Sequence, residues 1–247
     1  MTEFAILCGS GGLEFAAAFA PVTCPGSRYG TPSETPRIGT IEGAEVLVLA
    51  RHGIPHRLAP HLVNYRANLD VLSQLGARQI LALNTVGGIH PQAAVGAIVV
   101  PHQVVDYTWG REHTYADAAE LLHVEFSDPY DPGMRQRVLA AGASAGIELL
   151  DGGVYGCTQG PRFETAAEID RMDRDGCTVV GMTAMPEAAL AREKAMAYCS
   201  LSLVVNPAAG RADNAIDLEV ISAVSREGMQ RVERLLRVFF QREVGTR

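Results

Sequence analysis

The chain has 247 residues, 47% of them apolar, and a formal net charge of −7. That content suits one large α/β domain, and no linker-like stretch divides the chain, so a single domain over residues 1–247 is expected. The acidic balance without a basic run excludes a nucleic-acid footprint. No apolar stretch reaches transmembrane length, and Met1-Thr2-Glu3 lacks a basic signal-peptide start, so a cytoplasmic protein with no membrane role is expected.

In chain order, short β-branched apolar runs fall at residues 4–8, 46–50, 80–83, 97–100, 154–157, 179–181 and 201–205. They are nearly continuous rather than alternating, which predicts strands buried on both faces. Helical spacing appears over 60–75, through Leu62, Tyr65, Leu69, Leu72 and Leu75. A second helix is predicted over 186–197 with Pro186 in its first turn, and an amphipathic one over 218–240. Residues 24–40, rich in Pro, Gly and Thr, read as a long loop, and 106–132 as an excursion over a site or an interface. The alternation predicts a central β-sheet flanked by helices on both faces, with ligands outside the strand carboxyl ends. The five cysteines, Cys8, Cys24, Cys157, Cys177 and Cys199, lack metal or redox spacing and read as reduced thiols.

Polar switches close several of these runs. After the first comes Gly9-Ser10-Gly11-Gly12, whose glycines let backbone N–H groups approach an anion while Ser10 adds a hydroxyl. Glu14 stands where a dinucleotide fingerprint has its third glycine, and a tight turn explains the segment equally well. After the second come Arg51, whose guanidinium fork suits phosphate or carboxylate, and His52. All seven histidines fall between residues 52 and 123, but without metal-site spacing, so no metal is expected. Asn84-Thr85-Val86-Gly87-Gly88 is again anion-friendly, or simply a strand-end turn. Gln159-Gly160-Pro161-Arg162-Phe163-Glu164-Thr165 offers an aromatic and a charge before a helix, and Met182-Thr183 a soft apolar contact beside a hydroxyl. The last run ends in Asn206-Pro207-Ala208, an amide where an acid could stand. No Ser, Cys or Lys has a local activating partner, which suits chemistry done by positioning phosphate as the nucleophile.

The ordered set Gly9-Ser10-Gly11, Arg51-His52-Gly53, Asn64-Tyr65-Arg66-Ala67-Asn68, Asn84-Thr85-Val86-Gly87-Gly88, Gln159-Gly160-Pro161-Arg162-Phe163 and Gly181-Met182-Thr183-Ala184-Met185-Pro186-Glu187 resembles the trimeric purine nucleoside phosphorylase and 5'-methylthioadenosine phosphorylase family. The resemblance runs over nearly the whole chain. It implies a single α/β domain of the nucleoside phosphorylase kind, a homotrimer, and a pentosyl transfer that needs no cofactor beyond phosphate as co-substrate. Ser10, Arg51, His52, Thr85 and Thr183 would hold phosphate. Met182 and His56 would lie near the sugar, Phe163 against the base, and Asn206, Pro207 and Ala208 at the purine edge. Asn206 would be the catalytic group that supports the departing base, and Glu164 and Leu218 would set specificity. His123 would reach a neighbouring subunit's site.

The resemblance also bears on the base. Its adenosine-cleaving branch carries an Asp pair at the positions of Asn206 and Ala208, suited to the donor N6 of adenine. An amide can give N–H to the O6 of hypoxanthine and accept from a protonated N7, whereas a carboxylate would oppose two acceptors, costing about 1–3 kcal/mol. Leu218 stands where inosine-cleaving members carry a histidine for the 5'-hydroxyl, and suits a methylthio group instead. The expectation is phosphorolysis of 5'-methylthioinosine, with inosine/guanosine or methylthioadenosine phosphorolysis, or a nucleoside-binding protein without catalysis, as alternatives.

Overall fold

A computed structural model of the protein describes residues 2–117, 121–212 and 217–245. The elements run β1 (Phe4–Cys8), α1 (Leu13–Ala17), β2 (Ala20–Pro21), β3 (Arg37–Ile41), β4 (Ala44–Ala50), α2 (Tyr65–Gln74), β5 (Gln79–Gly88), β6 (Ile98–Val100), β7 (Gln103–Asp106), α3 (Pro132–Ala145), β8 (Leu150–Asp151), β9 (Val154–Cys157), α4 (Ala166–Arg174), β10 (Val179–Gly181), α5 (Ala184–Glu193), β11 (Ala197–Pro207) and α6 (Leu218–Gly245). The strands form one mixed sheet in the order β2-β3-β4-β1-β5-β10-β9-β7, and β11 branches from β5 to carry β6 and β8. Among the described residues no helix is long and apolar enough to cross a membrane.

The continuous apolar runs are buried on both sides, as their lack of alternation predicts. In β1, Ala5 and Leu7 face a core shared with α2 and α5, while Phe4, Ile6 and Cys8 face one shared with α3 and α6. Phe4 meets Phe239 and Phe240 edge-on, at centroid distances of 5.9 and 5.4 Å, which seats the long α6 against the sheet.

Several elements depart from the sequence expectation. The loop expected over 24–40 ends early, because β3 pairs antiparallel with β4 through the two-residue turn Glu42-Gly43. Both turn residues have positive φ (48° and 84°), the backbone that matches strand twist in a tight hairpin. Asn84 to Gly88, read as an anion-friendly segment or a turn, continue β5 as strand because β10 and β11 pair with that stretch. Gly88 is required there, since a Cβ would lie 2.1 Å from the Ala93 carbonyl oxygen. Helix α3 was not anticipated from periodicity, although its ends are well marked. Asp131 accepts from the Met134 N–H, Pro132 occupies the first turn, and Gly146 closes it in the left-handed region. A kink at Met185 (φ −117°, ψ 136°) divides α5, so Pro186 stands in the first turn of the stretch that follows it, as expected, but that helix ends at Glu193, short of Ala197, which begins β11.

Candidate active site

Strand register brings the polar switches together. Cys8 pairs with Ala50 on one side and Leu83 on the other, so Gly9-Ser10 and Arg51-His52 leave β1 and β4 level with Asn84-Thr85, which continue in β5. Asn206 lies opposite Gly87, after a register shift between Val204 and Asn206 that re-aims the end of β11. Between these strand ends is a cavity of about 580 Å³, lined by Ser10, Arg51, His52, His56, Thr85, Phe163, Glu164, Met182, Thr183, Asn206, Ala208 and Leu218. Pro207 instead faces an adjoining groove with Val95 and Val220, and His123 is exposed and does not line the cavity.

On one side the cavity is hydroxyl-rich and tightly supported. Arg51 is fully buried, and its fork is taken by a carboxylate: Nε donates to Glu187 Oε2 at 2.6 Å and Nη2 to Oε1 at 2.7 Å. Nη1 donates to the Leu83 carbonyl and Nη2 also to Leu7, leaving one Nη1 N–H uncommitted among the described residues. Burial opposes the charge, but Glu187 outweighs it and holds the guanidinium above its ordinary pKa. Tyr198 donates to the same carboxylate at 2.8 Å.

His52 is buried, stacks on His56 at 4.5 Å, and has Nδ1 2.8 Å from the Leu58 carbonyl. That carbonyl can only accept, so Nδ1 carries the proton and Nε2 is an acceptor. Burial, with the nearby Arg51, lowers the ring's pKa to about 4, keeping it neutral. Thr183 donates to Asn84 Oδ1 at 3.1 Å, and Asn84 in turn donates to Ser200 at 2.6 Å. Burial pushes the Cys8 thiol up to about 12, so it is not a ready nucleophile.

The other side is apolar with a polar edge. Met182 crosses Gly160, whose positive φ (61°) and lack of a side chain allow the contact; a Cβ there would meet the Met182 sulfur at 2.5 Å. Glu164 accepts from Thr158 at 2.6 Å. Asn206 Nδ2 donates to the Pro207 carbonyl at 2.7 Å, leaving Oδ1 and a second N–H for a ligand. Leu218 and Ile221, at the start of α6, form a further apolar wall.

Sequence reasoning did not assign Glu187, Asn84 or Ile221 to this site. Ile221 was visible as part of the apolar face of α6, but not as a cavity wall. Glu187 stood within a quoted motif, and the carboxylate-matching geometry of the Arg51 fork was its only signal. Among the described residues no three His, Cys, Asp or Glu side chains are grouped as metal ligands would be.

The family model described as phosphorylase superfamily matches residues 3–241. The chain is 51% identical over 243 residues to a probable S-methyl-5'-thioinosine phosphorylase of Pseudomonas syringae pathovar tomato, covering 96% of this chain and 97% of the relative. It is 40% identical to a 6-oxopurine nucleoside phosphorylase of Pyrococcus furiosus, covering 85% and 81%. Among solved structures, methylthioadenosine phosphorylase from Schistosoma mansoni in complex with adenine superposes with a TM-score of 0.92 at 28% identity, covering 100% of this chain and 93% of the other.

Proposed function

The chain belongs to the phosphorylase superfamily, and we propose that it cleaves S-methyl-5'-thioinosine with phosphate, giving hypoxanthine and 5-methylthioribose 1-phosphate in purine salvage. The observation that carries the base preference is the Asn206 amide at the cavity edge, with Ala208 rather than an acid beside it.

Phosphate sits against Ser10, Thr85, Thr183, the free Arg51 N–H and His52. Because its Nε2 accepts, His52 takes a hydrogen from a P–O–H group rather than donating to a bare oxygen. The nucleoside lies with its ribose over Met182, near His56, and its base by Phe163, Asn206 and Ala208. The C1'–N9 bond breaks, its electron pair leaving with the base. A proton from solvent adds to N7 as the bond breaks, so the base leaves neutral, and Asn206 donates to O6 and accepts from that N7–H. A phosphate oxygen then bonds to C1' on the opposite face. Preorganised electrostatics and leaving-group support supply the rate gain, with no metal or organic cofactor.

A homotrimer fits the reading. Leu218 lines the cavity yet is 67% exposed in the isolated chain, and Trp109 and Leu121 are 73% and 79% exposed. A neighbouring copy would cover them and could bring His123 to the site. Buried, unpaired Cys8, Cys157, Cys177 and Cys199 suit the reducing cytoplasm. The test is base release from methylthioinosine, methylthioadenosine and inosine, with and without phosphate, beside a light-scattering mass. Phosphate-dependent release chiefly from methylthioinosine is expected; equal release from methylthioadenosine refutes the role of Asn206.

A further inference from the structure

Two chain segments face the nucleoside in the reading above, residues 158–164 and 181–185, and neither runs as continuous regular structure where it meets the cavity. Segment 158–164 lies beyond the end of β9, and the interruption at Met185 breaks the start of α5. Such breaks free backbone carbonyls, and a buried carbonyl without a donor is costly. Arg111 supplies the donors. Nη1 donates to the carbonyls of Met182 (2.9 Å) and Met185 (2.6 Å). Nη2 donates to those of Thr158 (3.2 Å) and Gln159 (2.8 Å), and Nε to the Gln159 side chain (3.1 Å). Nη1 also reaches the Tyr65 hydroxyl at 3.3 Å, and that hydroxyl donates to the carbonyl of Pro60, a third piece of cavity wall. These six acceptors are all uncharged, so the fork acts as a bracket between segments rather than as half of an ion pair.

The bracket is itself anchored. Next to it, Glu112 pairs with Arg66 of α2 at 2.8 Å. Further along, Thr114 and the Tyr115 N–H donate to Glu193 of α5 at 2.7 and 2.6 Å. The Tyr115 hydroxyl donates to the Arg66 carbonyl at 2.8 Å.

We propose that Arg111 is a positioning residue that sets the spacing between the base-side segment 158–164 and the sugar-side segment 181–185, and so determines nucleoside affinity without touching phosphate. The proposal rests on the functional reading above, so its test includes a measurement that needs no reaction. In Arg111→Lys the charge stays, but a point donor cannot span carbonyls on two segments.

Hydrogen exchange of the ligand-free protein is expected to speed up in both segments, with α3 unchanged. Losing two or more bracket bonds should raise the nucleoside KM about ten-fold or more while the phosphate KM stays within about three-fold. Unchanged exchange overturns the proposal, as does a phosphate KM that rises in step with the nucleoside KM. Faster exchange in both segments, with no phosphate-dependent cleavage by the unaltered protein, leaves the bracket standing and removes the functional reading. Should Arg111→Lys fail to fold, Gln159→Leu, which removes the Nε acceptor and leaves the other five, is expected to speed exchange in segment 158–164 to a smaller extent. Unchanged exchange there overturns the proposal equally.

Discussion

Asn206→Asp is the sharpest test of base selection. The substitution keeps the shape of the side chain and replaces its NH₂ by an oxygen. In the unaltered protein one Nδ2 hydrogen goes to the Pro207 carbonyl, 2.7 Å away, and the other is free for O6 of a 6-oxopurine. A carboxylate at 206 would face O6 with acceptor against acceptor, costing about 1–3 kcal/mol on the oxopurine. It would gain about 1 kcal/mol or more toward the N6 donor of a 6-aminopurine. Together these shift the ratio of kcat/KM for methylthioinosine over methylthioadenosine by about 2–4 kcal/mol, or roughly 30- to 1000-fold, toward the aminopurine. The carboxylate would also repel the Pro207 carbonyl, so a parallel Asn206→Ala variant is needed. It removes both the donor and the repulsion, and should leave a ratio between the other two. The assay is coupled hypoxanthine or adenine release at saturating phosphate. A ratio for Asn206→Asp within about threefold of the unaltered enzyme, in folded protein, refutes the reasoning.

Other outcomes are open to direct measurement. Leu218→His should shift preference from a 5'-methylthio toward a 5'-hydroxyl nucleoside by about 1–2 kcal/mol, the apolar transfer term; an unchanged ratio of kcat/KM removes Leu218 from the 5' site. Glu187→Gln takes the full charge from the Arg51 partner where both side chains are wholly buried. It should cost about 3–5 kcal/mol in urea unfolding and raise the phosphate KM, and a loss below about 1 kcal/mol contradicts that account. His52 has its pKa lowered from 6.5 to about 4, first by burial and then by Arg51. A depressed imidazole stabilises the fold fully above the unfolded value. That contribution, about 3 kcal/mol, is lost as pH falls from near 6.5 through 4. His52→Gln should flatten that part of the stability profile, and an unaltered slope refutes the assignment.

The architecture was legible where burial alone decides structure. Strands β1, β4, β9 and β10 announce themselves as short, continuous apolar runs, and α6 by its periodic face. What escaped was structure decided by partners. Asn84 to Gly88 look like a turn in isolation and become strand because β10 and β11 pair with that stretch. Helix α3 escaped for the opposite reason: its inward face is built from Ala141 and Gly142 with only Met134 and Val138. Small residues carry little periodic signal, and its Asp-Pro start and Gly stop were the readable clues.

The same division runs through the site. Ser10, His52, Thr85, Thr183 and Asn206 could be picked out because each is a polar switch after an apolar run, and strand register then brings those switches together. What each can still offer a ligand depends on bonds already made, and those bonds are long-range. Arg51 reads as a phosphate fork until Glu187, 136 residues away, takes two of its donors. His52 reads as a donor until Leu58 fixes its tautomer. Arg111 stands in the segment read as an excursion over a site or an interface, and nothing near it in sequence hints that Thr158, Gln159, Met182 and Met185 all turn carbonyls toward it. The shift from donor-rich reading to spent donors matters chemically. With Arg51 largely neutralised and His52 uncharged, the proposed phosphate pocket is built mainly of hydroxyls, one N–H uncommitted among the described residues and an acceptor nitrogen. In that reading it would bind phosphate less as a point-charge trap than as a directional one, which would leave the bound oxyanion able to move toward C1' as the glycosidic bond opens.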